Sequence, residues 1–325
     1  MRATAQHPKI SVCIPVLNGA DRLPDCLGSL RALDYPADRI EIVIADGGST
    51  DNTREIAHAF GARVLDNPGK TVAAGRNVSF AAAEGAFIAS TDDDCVVPKD
   101  WAMRAVTAFH EDGIAAVGGI SKLPDQSAPW PEAANYIFRL ASQGGHSVQA
   151  DHLAEGDVED LPGCNVIYRA EAVRRNGAFD EALVTAEDVD YHLRLKLDGK
   201  RLRTAPGLFV WHHKRPTVRG LFKQLRRYAE GRVQLGRKWP GNVSRAHHLL
   251  GWSLPLMAIG LVLSPLSFLI VALLTAAGLS FAAHRAGLSM AAALLTPAAF
   301  MVIAAGWSIG YVKETFTPMK SAYGR

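Results

Sequence analysis

The stretch AFIASTDDDC, Ala86–Cys95, decides the fold, because an apolar run of strand length ends there in three adjacent carboxylates. The run Ala86–Ser90 is typical of a buried strand. Asp92, Asp93 and Asp94 repel one another, and a hard divalent cation, Mg²⁺ or Mn²⁺, bound together with substrate phosphates, would compensate that repulsion. A solvated acidic turn is the alternative interpretation.

Three strand-like runs precede this stretch, and helical patterns separate them: Ile10–Val16, Ile40–Ala45 and Ala62–Leu65. Alternating strands and helices predict an α/β domain with a mostly parallel sheet and right-handed crossovers. Ligands of such sheets bind beyond the carboxyl ends of the strands, where the loops here are acidic and polar. Further along, the pattern predicts the strand Leu161–Tyr168, the helix Ala186–Leu197, the strand Leu202–Trp211 and the basic helix Val218–Lys238.

Two other nucleotide-binding folds are excluded by their glycine patterns. The loop that starts at Pro15 after the first strand has no G-x-G-x-x-G. A P-loop at Gly69-Lys70-Thr71 would need a glycine where Val64 stands.

The C-terminal part has the composition of a membrane segment. From Leu249 to Val312 the only Asp, Glu, Lys, Arg or His side chains are those of His284 and Arg285. Such a stretch predicts transmembrane helices. Proline residues interrupt the first apolar run, so two or three spans fit the runs Leu249–Leu263, Leu266–Ala283 and Leu288–Val312.

Charge indicates which side of the membrane the catalytic part occupies. A net charge of +3 does not favour nucleic acid as a partner. Nine Lys or Arg lie between Lys214 and Lys238, and by the positive-inside rule they predict a cytoplasmic, lipid-facing segment. An even number of spans would return Lys313, Lys320 and Arg325 to the same side. With no apolar signal segment at the N-terminus, we expect a catalytic domain on the cytoplasmic face of the inner membrane.

These patterns predict four regions. They are a catalytic domain over 1–213, a basic interfacial region over 214–247, transmembrane helices over 248–312 and a tail over 313–325. The four cysteines form no C-x-x-C pair, so neither a zinc knuckle nor a disulfide framework is predicted.

Taken in order, the motifs resemble glycosyltransferase family 2, of GT-A fold, and in particular bacterial exopolysaccharide-type enzymes. The match extends from about Lys9 to Arg232. Its residues are Pro15 and Asn18 in SVCIPVLNGAD, Asp46 in ADGGSTDNT, Arg76 and Asn77 in AAGRN, Asp92 and Asp94 in TDDDC, Gly163 and Asn165 in PGCNVIYR, Glu187 and Asp188 in AEDVDYHLR, and His212 or His213 in VWHHKRP.

The resemblance implies a donor site at the carboxyl ends of the strands. Asp46 would contact the nucleobase, and Arg76 and Asn77 would lie beside the donor. Asp92 and Asp94 would form the D-x-D motif, with Asp94 as the direct metal ligand. The other residues expected at the nucleotide sugar are Pro15, Asn18 and Asp93.

The resemblance also implies an acceptor side. In this family the aspartate of Glu187-Asp188 is the general base that accepts the acceptor's hydroxyl proton. Thr185 to Asp188 is also a capping-box pattern, so a purely structural role is the alternative. His212 would complete the metal shell or contact the diphosphate, with a surface histidine pair as the alternative. Gly163 and Asn165 are assigned to the acceptor side.

The basic helix carries a motif of processive family members. Gln224-Leu225-Arg226-Arg227-Tyr228 resembles the Q-x-x-R-W of cellulose and hyaluronan synthases, with Tyr228 in place of tryptophan. The chain lacks their long multi-span channel, so transfer of one sugar per acceptor is expected. Arg226 and Arg227 are expected to meet lipid headgroups.

Together these features predict an inverting, metal-dependent transferase that uses a UDP- or GDP-sugar. Its acceptor would be lipid-linked or a growing glycan of the cell envelope or exopolysaccharide. Three alternatives stay open at this point: a polyprenyl-phosphate sugar synthase, a sugar nucleotidyltransferase and a non-catalytic scaffold.

Overall fold

A computed structural model describes residues 7–125, 127–142 and 156–318. Within these ranges there are nine strands: β1 Ile10–Val16, β2 Ile40–Asp46, β3 Arg63–Asp66, β4 Phe87–Thr91, β5 Cys95–Val96, β6 Ile114–Lys122, β7 Gly156–Asp157, β8 Asn165–Arg169 and β9 Arg201–His212. The same described residues form twelve α-helices: α1 Leu23–Arg31, α2 Thr53–Ala59, α3 Val72–Ala82, α4 Trp101–Thr107, α5 Pro129–Ser142, α6 Ala170–Asn176, α7 Glu187–Leu197, α8 Val218–Lys238, α9 Arg245–Gly251, α10 Ser253–Leu263, α11 Pro265–Arg285 and α12 Met290–Phe316.

The strands form one sheet in the order β3-β2-β1-β4-β8-β6-β9-β5, with β7 paired to β9. Strands β1 to β4 are parallel, as the alternation of strands and helices predicts. The sheet as a whole is mixed, because β8 runs antiparallel between β4 and β6 and β5 runs antiparallel to β9. Helices on both faces of the sheet complete two apolar cores. Because β4 is the fourth of eight strands in this order, its carboxyl end lies at the middle of the sheet.

Strand β6 is absent from the sequence prediction, because its Gly118-Gly119 pair resembles a turn. The glycines are instead explained by the packing of β6 against β9. A Cβ on Gly119 would stand 1.7 Å from the carbonyl oxygen of Leu208 in β9, so only glycine allows the two strands to approach where their register shifts.

Two other segments differ from prediction. Strand β8 begins at Asn165 rather than Leu161, because the residues before it form a turn in which the Asn165 N–H donates to the Pro162 carbonyl. The segment 122–160, for which the sequence pattern predicts no element, contains α5, whose prolines fall in the first helical turn, where they are tolerated. Lys320 and Arg325 of the predicted tail lie outside the described residues.

The chain divides into two compact units. The sheet, α1 to α4, α6 and α7 form the catalytic unit, and α5 with α8 to α12 form the helical unit. Within the helical unit α8 and α12 pack closely, because Gly306 and Gly310 of α12 face the α8 backbone. Lys313 of α12 pairs with the buried Glu230 of α8, their Nζ and Oε1 atoms lying 2.9 Å apart.

Within the described ranges, α11 and α12 are long and apolar enough to cross a membrane. Helices α9 and α10 meet at a 54° bend, and they would make a third span if they act as one segment. The two long helices differ, because 6% of the most apolar window of α11 is buried within the protein and 44% of that of α12. The predicted choice between two and three spans therefore stays open.

Candidate active site

Three candidate ligands meet at the carboxyl end of β4. Asp92 and Asp94 follow this strand, and His212 is the last residue of β9. The antiparallel pair β5–β9 sets Cys95 opposite His212, which carries the imidazole back to the acidic loop. One ligand atom from each of the three lies within 4.8 Å of the others, and His212 Nε2 is 3.2 Å from Asp94 Oδ1.

The electrostatics of this loop favour a cation. Burial raises the pKa of Asp92, and the neighbouring Cys164 and Asp94 raise it further, while Arg76 and His212 oppose them. Ionised carboxylates held this close need a positive partner. Two carboxylate oxygens suit Mg²⁺ or Mn²⁺, and an imidazole nitrogen is a ligand that transition metals accept more readily than Mg²⁺. The residues therefore fit a divalent cation.

Arg76 joins the acidic loop to the predicted base. Its buried guanidinium lies 2.6 Å from Glu187 Oε1 and 3.6 Å from Asp92 Oδ1, and its Nε donates to Ser90 Oγ. Gly163 makes room for it, since a Cβ there would be 2.6 Å from Arg76 Nη2. Glu187 thus serves as the partner of a buried arginine, which positions the residue after it.

Asp188 is half-buried in the first turn of α7. Its Oδ2 accepts from the Gly163 N–H at 3.2 Å. Burial, with Glu187 and Asp160 next in effect, raises the pKa of Asp188 to about 6. The capping-box alternative is wrong, because Ala186 has φ of 65°, so the helix begins at Glu187 and Thr185 cannot be its N-cap. Asp188 is therefore ionised near neutral pH.

The predicted nucleobase contact, Asp46, lies at the end of β2 with a fully buried carboxylate. It accepts from the Ser49 N–H and hydroxyl and pairs with Arg54 at 2.9 Å. Burial alone would raise the pKa of Asp46, but the Ser49 and Arg54 hydrogen bonds outweigh it and lower the pKa. Asn18, at φ of 54°, accepts from the Thr50 N–H and so joins this loop to the one after β1.

Several predicted site residues have structural contacts in the catalytic unit. Asn77 binds the Phe179 backbone through both its amide atoms. Asn165 is buried, accepting from Trp101 Nε1 and donating to the Ile120 carbonyl.

The remaining donor-side residues pack against glycines. Pro15 lies against Gly75, where a Cβ would be 2.7 Å from Pro15 Cβ. Asp93 lies against Gly19, where a Cβ would be 2.4 Å from Asp93 Oδ2. The loops after β1 and β4 are therefore in contact.

The motif residues of α8 belong to the helical unit. Gln224 donates to the hydroxyl of the exposed Tyr228 one turn later. The Arg226 carbonyl faces Gly310, and the Arg227 carbonyl accepts from Thr185.

Arg54 and Ser90, which hold Asp46 and Arg76, are missing from the sequence prediction. The position of Arg54 in the first turn after a conspicuous aspartate loop is a signal for it. Ser90 has none, because a serine at the end of a buried strand is common.

The profile of Glycosyl transferase family 2 matches residues 11–177, just over half of the chain. Glycosyltransferase AglE of Haloferax volcanii is 27% identical over 238 residues, which are 71% of this chain and 75% of AglE. The pre-mycofactocin glycosyltransferase of Mycobacterium tuberculosis is 29% identical and the poly-beta-1,6-N-acetyl-D-glucosamine synthase of Staphylococcus aureus 26%, with 84% and 68% of this chain aligned. The alignments span only 59% and 54% of those two proteins.

A solved structure shares the fold. The mannosyltransferase PcManGT of Pyrobaculum calidifontis, solved with GDP-Man and Mn²⁺, superposes with a TM-score of 0.65 at 19% identity. The superposition covers 96% of this chain and 88% of PcManGT. The S. aureus TarS fragment 1–349 superposes with a TM-score of 0.51.

Proposed function

The chain belongs to glycosyltransferase family 2, and from this membership we propose that it is an inverting, metal-dependent enzyme that transfers one sugar from a nucleotide diphosphate sugar. One observation carries the proposal. A buried arginine, Arg76, contacts both the acidic loop at Asp92 and the Glu187 that precedes Asp188. Arg76 thereby links Asp92, expected at the leaving diphosphate, to the segment that carries Asp188, expected at the acceptor.

The chemistry divides between these two groups. A divalent cation held by Asp92, Asp94 and His212 would stabilise the negative charge of the departing nucleoside diphosphate. Asp188 accepts the proton of the acceptor hydroxyl as that oxygen bonds to the anomeric carbon and the bond from this carbon to the diphosphate oxygen breaks. Attack from the face opposite the leaving group inverts the configuration, and no covalent enzyme intermediate forms.

Arg76 keeps Asp188 in place for this role. Its ion pair with Glu187 fixes the first turn of α7, and Gly163 supplies both space for Arg76 and an N–H for Asp188. A pKa of about 6 leaves Asp188 ionised at neutral pH yet close enough to it to hold a proton transiently.

We assign the donor to the UDP- or GDP-sugars and the acceptor to lipid-linked or growing envelope glycans. Three similarly folded structures support the donor class, because they contain GDP-Man, UDP and UDP-GlcNAc. The apolar helices α11 and α12 support an acceptor at a membrane. The basic residues of α8 favour the cytoplasmic face of the inner membrane.

The test uses the full chain in detergent with UDP- and GDP-sugars, Mn²⁺ and a lipid extract as acceptor. We expect release of nucleoside diphosphate, without pyrophosphate, and loss of this release in Asp94→Ala. Asp100→Ala removes an exposed carboxylate paired only one turn away with Arg104, and it is the matched control. Full turnover by Asp94→Ala, or turnover independent of a divalent cation, would contradict the proposal.

Acceptor chemistry is decided by a second variant. A hydroxyl acceptor needs Asp188 as base, so Asp188→Asn should slow transfer to it by about 10²–10⁴-fold. A lipid phosphate acceptor is already ionised, so transfer that persists in Asp188→Asn would identify a polyprenyl-phosphate sugar synthase.

A further inference from the structure

Two thiols lie behind the imidazole of the proposed active site. Cys95 follows the acidic loop directly, and Cys164 precedes β8; both are buried. The Cys164 Sγ is 3.9 Å from His212 Nδ1, while His212 Nε2 faces Asp94 on the other edge of the ring. Sulfur, sulfur and imidazole nitrogen all lie within 4.8 Å of one another, and the two thiols are in hydrogen-bond contact.

We propose that Cys95, Cys164 and His212 Nδ1 form a site for a thiophilic transition-metal ion, Zn²⁺ or a similarly soft cation, that shares His212 with the hard-cation site. Tetrahedral zinc with bonds of about 2.3 Å to sulfur and about 2.0 Å to nitrogen places these ligands roughly 3.5–3.8 Å apart. The observed 3.9 Å therefore needs only a small approach of Cys164. Binding replaces two thiol protons, which leave to solvent, with one cation.

The sheet fixes this arrangement independently of the acidic loop. Cys95 and His212 are directly opposed in the β5–β9 pair, and antiparallel partners have Cβ atoms about 4.5–5.5 Å apart. The strand that follows Cys164 is held between β4 and β6. Two of the ligands lie on paired strands and the third immediately precedes a strand, which makes the site more rigid than one built on a loop.

The Asp94 carboxylate, on the far side of the His212 ring, is placed to hydrogen-bond a histidine that binds a metal. Histidine ligands of zinc commonly donate their other ring N–H to a carboxylate, which fixes the tautomer. With Nδ1 on the metal, His212 Nε2–H points at Asp94. Ser121 Oγ lies 3.3 Å from Nδ1 and so is an oxygen atom beside the proposed metal position.

The other two cysteines show the contrast. Cys13 lies fully buried within β1 and belongs to the apolar core on one face of the sheet, and Cys26 lies in α1 with its thiol on the Asp92 carbonyl. Neither belongs to a cluster of candidate metal ligands among the described residues. Cys13 and Cys26 are therefore buried cysteines with a packing role, in contrast to Cys95 and Cys164.

Sharing of His212 has a regulatory consequence, which rests on the proposed function. An imidazole that holds a soft ion through Nδ1 presents a proton, not a lone pair, to the hard-cation site. The two sites therefore exclude each other at His212, and Zn²⁺ inhibits transfer without competing directly with the donor.

The test is a Co²⁺ titration of the full chain in detergent with a phosphine reductant. We expect a thiolate-to-cobalt charge-transfer band at one equivalent that Zn²⁺ removes. Cys164→Ala and Cys95→Ala should each lose the band and weaken Zn²⁺ binding, measured against a chromophoric chelator, by at least the roughly 10- to 100-fold that loss of an outer partner costs. Cys13→Ala, which removes an equally buried thiol, should keep both.

The outcomes separate this proposal from the proposed function. Absence of the band in folded protein with four titratable thiols, or its survival in both Cys95→Ala and Cys164→Ala, overturns the soft-metal site. A band present in protein that shows no Mn²⁺-dependent nucleoside diphosphate release would leave the site standing and refute the transferase mechanism. Inhibition by Zn²⁺ that persists in Cys164→Ala would refute the sharing of His212.

Discussion

The two units of the molecule differ in the apolar surface that they expose. Both bury a carboxylate and pair it with a cation, Glu187 with Arg76 in the catalytic unit and Glu230 with Lys313 in the helical unit. The helical unit in addition exposes large apolar side chains at the α10–α11 turn, where Val262 and Leu263 are each 79% exposed. An apolar surface of this kind is what helices present to lipid. Different substitutions should therefore damage each unit.

Glycine illustrates the same difference. Gly163 of the catalytic unit makes room for a charged side chain, Arg76. Gly306 and Gly310 of the helical unit make room for a helix backbone, since a Cβ on Gly310 would be 2.2 Å from the Arg226 carbonyl oxygen. Small residues spaced four apart are the usual means by which membrane helices approach closely. Close approach serves ion pairing in one unit and helix packing in the other.

The largest effect is expected from Asp188→Asn, which separates function from stability in the catalytic unit. Loss of the base should lower kcat/KM by about 10²–10⁴-fold. The unsubstituted enzyme should lose kcat/KM below pH 6, because the pKa of Asp188 is raised to about 6 and its protonated form cannot act as base. A pH profile with no acid limb near this value would contradict the assignment.

The same variant should have a higher Tm at pH 7. The folded-state pKa of Asp188 lies above its ordinary value, so the ionised carboxylate destabilises the fold at neutral pH. This penalty disappears as the pH falls through about 6 toward the ordinary value near 4. The Tm difference between the two proteins should therefore shrink on acidification.

Arg76→Met tests whether buried charge limits the stability of the catalytic unit. It leaves Glu187 buried without its arginine, which should cost about 3–5 kcal/mol in the free energy of unfolding. Adding Glu187→Gln removes the unpaired charge, and the double variant should recover part of the loss, with a coupling of about 0.5–3 kcal/mol. Additive losses in chemical denaturation would show that the ion pair is not the cause.

Gly310→Leu tests the helical unit in the corresponding way. The new side chain meets the α8 backbone and should cost about 1–3 kcal/mol through overpacking, seen as a lower Tm in detergent. Gly278→Leu is the control, because nothing lies within 4 Å of a Cβ at Gly278 in α11. Equal Tm values for the two variants would argue against close packing of α8 and α12.

The smallest change in fold stability is expected at the exposed turn. Val262→Ser with Leu263→Ser should change the free energy of unfolding in detergent by less than about 0.5 kcal/mol per site, as surface substitutions do. Flotation with liposomes should nevertheless weaken, because both side chains lose their apolar contact with lipid. Leu197→Ser, at a 65% exposed leucine of the catalytic unit, should leave flotation unchanged.

Most of the fold was accessible from local pattern. The bounds of β1 and α8 agree with prediction, because an apolar run and a helical charge pattern are properties of neighbouring residues. Strand β6 was not accessible, since its glycines are explained only by Leu208 on another strand. The acidic residues of the site were identified from their motifs, and the structure brings Asp92, Asp94 and His212 together.

By itself the sequence determined the family, the acidic loop and an apolar C-terminus, because each is written in consecutive residues. Tertiary structure decided which groups meet. Arg76 and Glu187 are 111 residues apart in the chain, and only the sheet brings them within 2.6 Å. His212 likewise contacts both Asp94 and Cys164, because the pairing of β9 with β5 places His212 beside the loop that follows β4. Side-chain pairing depends on strand register and burial, which no local spacing encodes.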